Sequence, residues 1–333
     1  MHVLVIGGTL FIGRNLVAAL LKAGHEVTIV HRKPGHDLGR KVREIVADRN
    51  DPEGFKASIA GLRFDAVYDN VYDWQRGTTA GQVECTARAF EGRVQRYIFM
   101  SSVAAYGDGL NHHEGDALAP DNHPDPYVRN KAMSERSLFR MHQRNSFPVV
   151  TMRPPYIYGP GNPYYREAFF WDRLRDHRPI ILPGDGRRLM QFIHIRDLVE
   201  CCIAALTEPH APGHAFNIAN ARPITQLEVV QLLAQVCGKP IELVRIPRSR
   251  ILELGGHPIG PKNLYFAQYF DMPPITMINT KATRVLKLKP TDFAEGLRET
   301  YRWYQRHHQK NTSNYAFEDT LIAAAPAQLP DPL

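Results

Sequence analysis

Two rhythms of apolar and polar residues alternate along the chain. Short apolar runs, closed by glycine or polar turns, occupy His2–Ile6, 26–30, Val42–Val46, 64–68, Arg96–Met100 and Val149–Arg153. Runs of this length bounded by turn residues read as buried strands. Between them, apolar positions recur at helical spacing over 12–22, 52–60, 79–90 and 127–142. Gly24 stops the first of these helices, and Asp125-Pro126 supplies a cap and a first-turn proline for the last. The alternation predicts βαβ units and an α/β fold with a doubly wound parallel sheet. Pro154, Pro155, Gly159, Pro160, Gly161 and Pro163 then form a rigid loop leaving the sheet. Helices over 165–175, 225–236 and 293–305, with strands over 192–195, 214–219 and 242–246, carry the chain between the sheet and a smaller C-terminal lobe. The glycine- and aromatic-rich stretch 251–270 has no clear period.

A chain of 333 residues is long enough for two domains, and 44% hydrophobic with 23% charged residues excludes global disorder. The net charge of +7 favours anionic partners without choosing among nucleotide, RNA and membrane surface. Four cysteines lack zinc spacing, so no metal is expected and a reducing compartment, the cytoplasm, is. Neither a leader-like segment nor an apolar run of membrane-spanning length is present, so no membrane association is expected.

The first strand ends in Gly7-Gly8-Thr9-Leu10-Phe11-Ile12-Gly13. A helix N-terminus here presents unpaired N–H groups to a pyrophosphate, with Gly7 permitting the turn and Gly13 close helix–sheet packing. Leu10 stands where the middle glycine is usual, and the motif alone also fits a tight turn that binds nothing. The second strand ends in His31-Arg32-Lys33, where an NAD site places an acid for the ribose. Cationic side chains suit a 2′-phosphate, so NADP is preferred over NAD; a plain basic turn is the other reading. Asp48 either bonds the adenine edge or caps the next helix. Tyr127 and Lys131 are four apart and share a helix face, and an ammonium near a phenol favours phenolate. That pattern suits proton transfer.

Five segments, in order, resemble the extended short-chain dehydrogenase/reductases that include nucleotide-sugar epimerases and dehydratases: the glycine loop, residues 99–107 (FMSSVAAYG), 127–131 (YVRNK), 153–161 (RPPYIYGPG) and 192–198 (FIHIRDL). The resemblance covers about residues 1–306. It implies a Rossmann-type sheet with a substrate lobe: 1–160 as the dinucleotide-binding domain, completed by segments around 190–222; 161–189 and 223–310 mainly as the lobe; and 311–333 as a tail or surface arm. It implies Ser102, Tyr127 and Lys131 as the catalytic triad, with Lys131 also bonding the nicotinamide ribose. Its cofactor residues would be Gly7, Thr9, Leu10, Phe11, Ile12, Gly13, His31, Arg32, Asp48, Asn70, Ser101, Tyr127, Lys131 and Pro154. Ser102, Val103, Tyr156, Asn162, Arg187 and Arg188 would face substrate, in a cleft between sheet and lobe.

Several positions depart from the family pattern. Family dehydratases carry an Asp-Glu pair after the serine; Val103-Ala104 here cannot move a proton, which disfavours dehydration. The fourth strand ends in Asp69-Asn70-Val71 in place of small apolar residues, with Asp69 read as a turn cap and Tyr68, Tyr72 and Trp74 either as pocket borders or as an aromatic loop packing on its own domain. Met190 replaces the arginine that grips a diphosphate in related enzymes, leaving Arg187 or Arg188 to substitute. His194 and Asp197 are read as organising the junction, not as reacting. These departures resemble a branch that includes the chloroplast stem-loop RNA-binding proteins. The expected function is an NAD(P)-dependent epimerase or reductase, acting as a homodimer at a secondary alcohol or ketone of a sugar or sugar nucleotide. The alternatives are an RNA-binding protein on this fold and a simple ketoreductase of a non-nucleotide substrate. The complete hydride-transfer set favours the enzyme, since RNA binding requires none of it.

Overall fold

The computed structural model describes residues 1–307 and 314–325. It divides into two compact units, the first made of Met1–Ile157, Phe192–Ala221 and Ile275–Pro290. The first unit contains strands β1 (His2–Ile6), β2 (Glu26–His31), β3 (Val42–Val46), β4 (Ala66–Asp69) and β5 (Arg96–Met100), joined in one sheet by Val149–Arg153 and His214–Asn217. Every pair is parallel, and the order runs from His214–Asn217 through Val149–Arg153, β5, β4, β1 and β2 to β3. Strand order reverses between β1 and β4, the switch point where such sheets bind ligands. Val3, Leu4 and Val5 are all fully buried, which is why β1 shows no alternation in the sequence.

Helix α1 (Phe11–Lys22) and the Ile195–Thr207 helix cover one face, through a core that includes Leu16, Leu20, Ile29, Met152 and Leu198. Helices α2 (Pro52–Ser58), α3 (Ala80–Arg88) and α4 (Pro126–Asn145) cover the other, around Phe55, Val83, Phe99 and Leu138. Thr79 and Gln82 form a capping box on α3, and Asp125 accepts from the N–H groups of Tyr127 and Val128 at the start of α4. Several short strands went unread in the sequence, Gly109–His112 and Ile275–Met277 of this unit among them. Ile275–Met277 pairs in parallel with Gly109–His112, which places 275–290 in this unit and not in the lobe.

The second unit holds 158–191, 222–274 and the described residues from 291 onward. Ile180–Pro183 pairs with Leu243–Ile246, and helices Glu167–Arg175, Gln226–Cys237 and Phe293–His307 build its body. The stretch read as a tail contains a further helix, Ala316–Ala323. Its Glu318 and Leu321 are buried, and Glu318 ion-pairs with buried Arg173. Residues 308–313 and 326–333 of the expected tail lie outside the described residues. Among the described residues, no helix is long and apolar enough to cross a membrane, and no cluster of metal-ligating side chains occurs.

Candidate active site

The glycine loop joins β1 to α1 at the switch point. Gly7 has φ +86°, and its N–H donates to the Val30 carbonyl at 2.9 Å. A Cβ on Gly7 would lie 2.4 Å from the Val71 side chain, and one on Gly13 would lie 1.9 Å from the Gly7 carbonyl oxygen. Both positions therefore require glycine. Leu10 occupies the N-cap of α1 in an extended conformation and makes no side-chain cap, and its own side chain is 74% exposed. The first-turn N–H groups of Phe11, Ile12 and Gly13 thus have no intrahelical acceptor and no side-chain cap from Leu10. An uncapped helix end beside a cradle that any Cβ would fill fits a dinucleotide pyrophosphate.

The expected reaction residues lie on the turn after β5 and on α4. Lys131 is buried and donates from Nζ to the Met100 carbonyl at 2.7 Å. Its Nζ lies 4.9 Å from the Phe99 ring centroid, 5.5 Å from that of Tyr72 and 5.8 Å from that of Tyr127. Burial pulls its pKa down to about 8, against the opposing pull of the Asp69 charge; Arg49 lowers it further and Glu135 raises it. The Tyr127 ring is held between two aromatics: Trp74 stacks on it at 4.9 Å, and Tyr72 meets it edge-on at 4.7 Å. Ser102 caps a short 3-10 turn, its Oγ accepting from the Ala104 N–H at 3.2 Å. The Val103 N–H donates to the Pro154 carbonyl at 2.9 Å, tying this turn to the end of Val149–Arg153. Tyr156 lies against Phe192, with centroids 5.6 Å apart.

Several expected site residues have other partners. Ser101 is buried, and its hydroxyl donates to the Glu135 carboxylate. Glu135 is also paired with Arg153 at 2.6 Å, and both are buried. Asp69 does not cap a turn. It is buried against Arg49 at 2.6 Å and accepts from the Tyr97 hydroxyl at 2.8 Å. Tyr68 is buried too, donating to the Cys202 carbonyl at 2.8 Å, and so borders no pocket. Asn70 reaches the Gly7 carbonyl only at 3.5 Å, and its buried Oδ1 has no partner. His31 pairs with Glu44, whereas Arg32 stays half-exposed and donates to Asp73 at 2.9 Å. Asp48 accepts from Asn50 and from Arg76.

The other expected substrate residues belong to the second unit. Asn162 donates to buried Glu167 at 3.2 Å. Arg188 donates to the Asp271 carbonyl at 2.7 Å and pairs with its carboxylate at 3.2 Å. Asp271 also accepts from Arg248, Gln226 and Tyr265, a network the sequence reading missed. The Arg187 backbone N–H donates to Asp185. His194 caps the Ile195–Thr207 helix of the first unit, and burial depresses its pKa to about 4, which favours the neutral imidazole near neutral pH.

Residues 3–219 match the NAD dependent epimerase/dehydratase family. The chain belongs to this family. It is 29% identical to the chloroplast stem-loop binding protein of 41 kDa b from Arabidopsis thaliana, over 96% of this chain and 84% of that one. It is 26% identical to dTDP-D-glucose 4,6-dehydratase from Mus musculus, over 99% and 94%. Its fold is similar to a crystal structure of a UDP-glucuronic acid 4-epimerase variant from Bacillus cereus, in complex with UDP-4-deoxy-4-fluoro-glucuronic acid and NAD. That likeness has a TM-score of 0.74 at 19% identity, over 92% of this chain and 99% of that one. The expected extended short-chain dehydrogenase/reductase membership and the doubly wound sheet are therefore borne out.

Proposed function

We propose that the protein is an NAD(P)-dependent epimerase or reductase acting at a secondary alcohol or ketone of a sugar or sugar nucleotide. The observation that carries this reading is the pairing of Lys131 and Tyr127 on one face of α4, with Lys131 Nζ bonded to the Met100 carbonyl, two residues before Ser102. The nicotinamide, when bound, accepts or returns a hydride. Gly7, Gly13 and the open end of α1 hold the pyrophosphate. Lys131 keeps a positive charge near the Tyr127 phenol and favours its phenolate, so Tyr127 takes the proton from a substrate hydroxyl or gives one to a ketone. Ser102 positions the substrate oxygen. Val103 and Ala104 offer no acid or base, so hydride transfer without dehydration is the reading here. Arg32, the half-exposed cation after β2, supports NADP over NAD. Four unpaired thiols suit a reducing compartment such as the cytoplasm.

Purification without added nucleotide, followed by mass spectrometry of the released small molecules, tests this reading. Retained NADP or NAD supports it. A protein that carries neither and takes up neither in a titration contradicts it. Stem-loop RNA binding is the second reading, favoured by the name of the Arabidopsis relative and by the net charge of +7. Binding by that route weakens steeply with salt, because it releases counterions. Tight, selective RNA binding at near-physiological salt that survives loss of Tyr127 would put this second reading first.

A further inference from the structure

Four charged side chains meet beyond the C-terminal ends of β2, β3 and β4, with β1 lying between β4 and β2 in the sheet. Arg32 directly follows β2, Asp48 follows β3, and Asp73 and Arg76 lie on the loop after β4. Arg32 Nη1 and Arg76 Nε both donate to the same oxygen, Asp73 Oδ2, at 2.9 and 3.0 Å. Arg76 Nη2 donates to Asp48 Oδ2 at 3.0 Å. The other Asp73 oxygen accepts the backbone N–H groups of Gln75 and Arg76, and the Asp73 N–H donates to Thr78. The carboxylate is therefore fixed by its own loop and is 6% exposed, while Arg32 and Arg76 are 53% and 50% exposed.

This arrangement leaves both guanidiniums half-exposed over a buried Asp73, with Asp48 one-third exposed at the edge. A guanidinium carries five N–H donors. Arg32 directs one, and Arg76 two, into these bonds. The side chains that carry the remaining donors are half-exposed. Because both guanidiniums share one acceptor oxygen, they are held near each other before any ligand arrives, which lowers the ordering cost of gripping a third group. A phosphate ester, with a charge near −2 and several acceptor oxygens, suits two convergent arginines. A ribose diol does not need them.

We propose that Arg76 is the second arm of a 2′-phosphate subsite, opposite Arg32, and that Asp73 holds both arginines in place for it. This rests on the dinucleotide-binding reading above and adds to it a residue outside the glycine loop and outside the β2 end. Asp73 thereby sets specificity indirectly: it is a positioning residue, and Arg76 a binding one.

The test is calorimetric titration of wild type, Arg76→Ala and Arg76→Lys with NADP and with NAD, supported by 2′-AMP against 5′-AMP. Arg76→Ala is expected to weaken NADP by about tenfold or more while NAD changes by less than about twofold. Arg76→Lys should recover part of the NADP affinity and not all of it, because a single ammonium lacks the fork. The 2′-AMP preference should fall in parallel. If wild type prefers NADP and Arg76→Ala weakens both dinucleotides equally, or neither, the role of Arg76 is overturned and the cofactor reading stands. If wild type binds NAD as tightly as NADP, the NADP preference itself is overturned, and the subsite with it. Thermal unfolding of each variant separates either result from loss of fold.

Discussion

Replacing Gly13 with alanine should both destabilise the first unit and weaken dinucleotide binding. The new Cβ would sit 1.9 Å from the Gly7 carbonyl oxygen and 2.9 Å from Gly7 C and Gly8 Cα, all of them backbone atoms. Ordinary contact begins near 3.4 Å, so α1 must retreat from the loop by roughly 1.5 Å. Overpacking costs about 1–3 kcal/mol, and a rigid backbone obstacle places this site at the upper end. With a urea dependence near 3 kcal/mol per M, the unfolding midpoint should fall by about 1 M. The same retreat moves the α1 N–H groups off the pyrophosphate, with an expected loss of about tenfold or more in NADP affinity. Gly24→Ala is the control. Gly24 has φ +81° with nothing within 4 Å of its Cβ position, so only a backbone cost of about 1–2 kcal/mol is expected, with affinity unchanged. Urea unfolding and calorimetry on the two variants decide it. A Gly13→Ala protein with wild-type midpoint and affinity would refute the packing argument.

Lys131 provides a pH test. Its folded pKa is lowered from 10.5 to about 8, so between these values the unfolded chain holds a proton that the folded protein has released. Stability from this group therefore rises as pH climbs from about 8 toward 10.5, and the penalty for its buried charge is fully present below about 8. In urea unfolding across that window, Lys131→Met should lack the increment; an identical slope in both proteins would contradict the assignment. Glu135→Gln should cost about 3–5 kcal/mol, because it leaves the Arg153 charge buried without its partner. A loss below 1 kcal/mol in the same assay would show the pair to be dispensable.

The sheet was legible because buried parallel strands write themselves as apolar runs: His2–Ile6, Arg96–Met100 and Val149–Arg153 form over the very residues expected, as does the mostly exposed edge strand Val42–Val46. The glycine loop and the spacing of Tyr127 and Lys131 were legible for the same local reason. What escaped was polar and long-range. Gly109–His112 carries no apolar signature, and its partner strand lies far along the chain. Asp69 looked like a turn residue because its partner Arg49 is distant in sequence and no local pattern announces a buried ion pair. Ser101 and Ser102 are indistinguishable as letters, yet the end of β5 turns the first inward to Glu135 and leaves the second at the turn. Arg76 and Asp73 were not singled out, because no local pattern announces that the fold brings them to Arg32, about forty residues away. The Ala316–Ala323 helix is short, and its docking depends on Arg173, so its period alone did not set it apart from a tail.

The central claim is that Tyr127 moves the proton in a hydride-transfer reaction on this sheet. The most direct measurement is the near-ultraviolet absorbance of reduced nicotinamide when the protein, loaded with NADP, is mixed with a panel of nucleotide sugars. It is run in parallel on wild type and Tyr127→Phe, with dinucleotide affinity measured on both. The account predicts a reduced-nicotinamide signal in wild type with at least one sugar, and no signal in Tyr127→Phe despite unchanged NADP binding. The same signal in both proteins, or wild type that binds no dinucleotide, would contradict it.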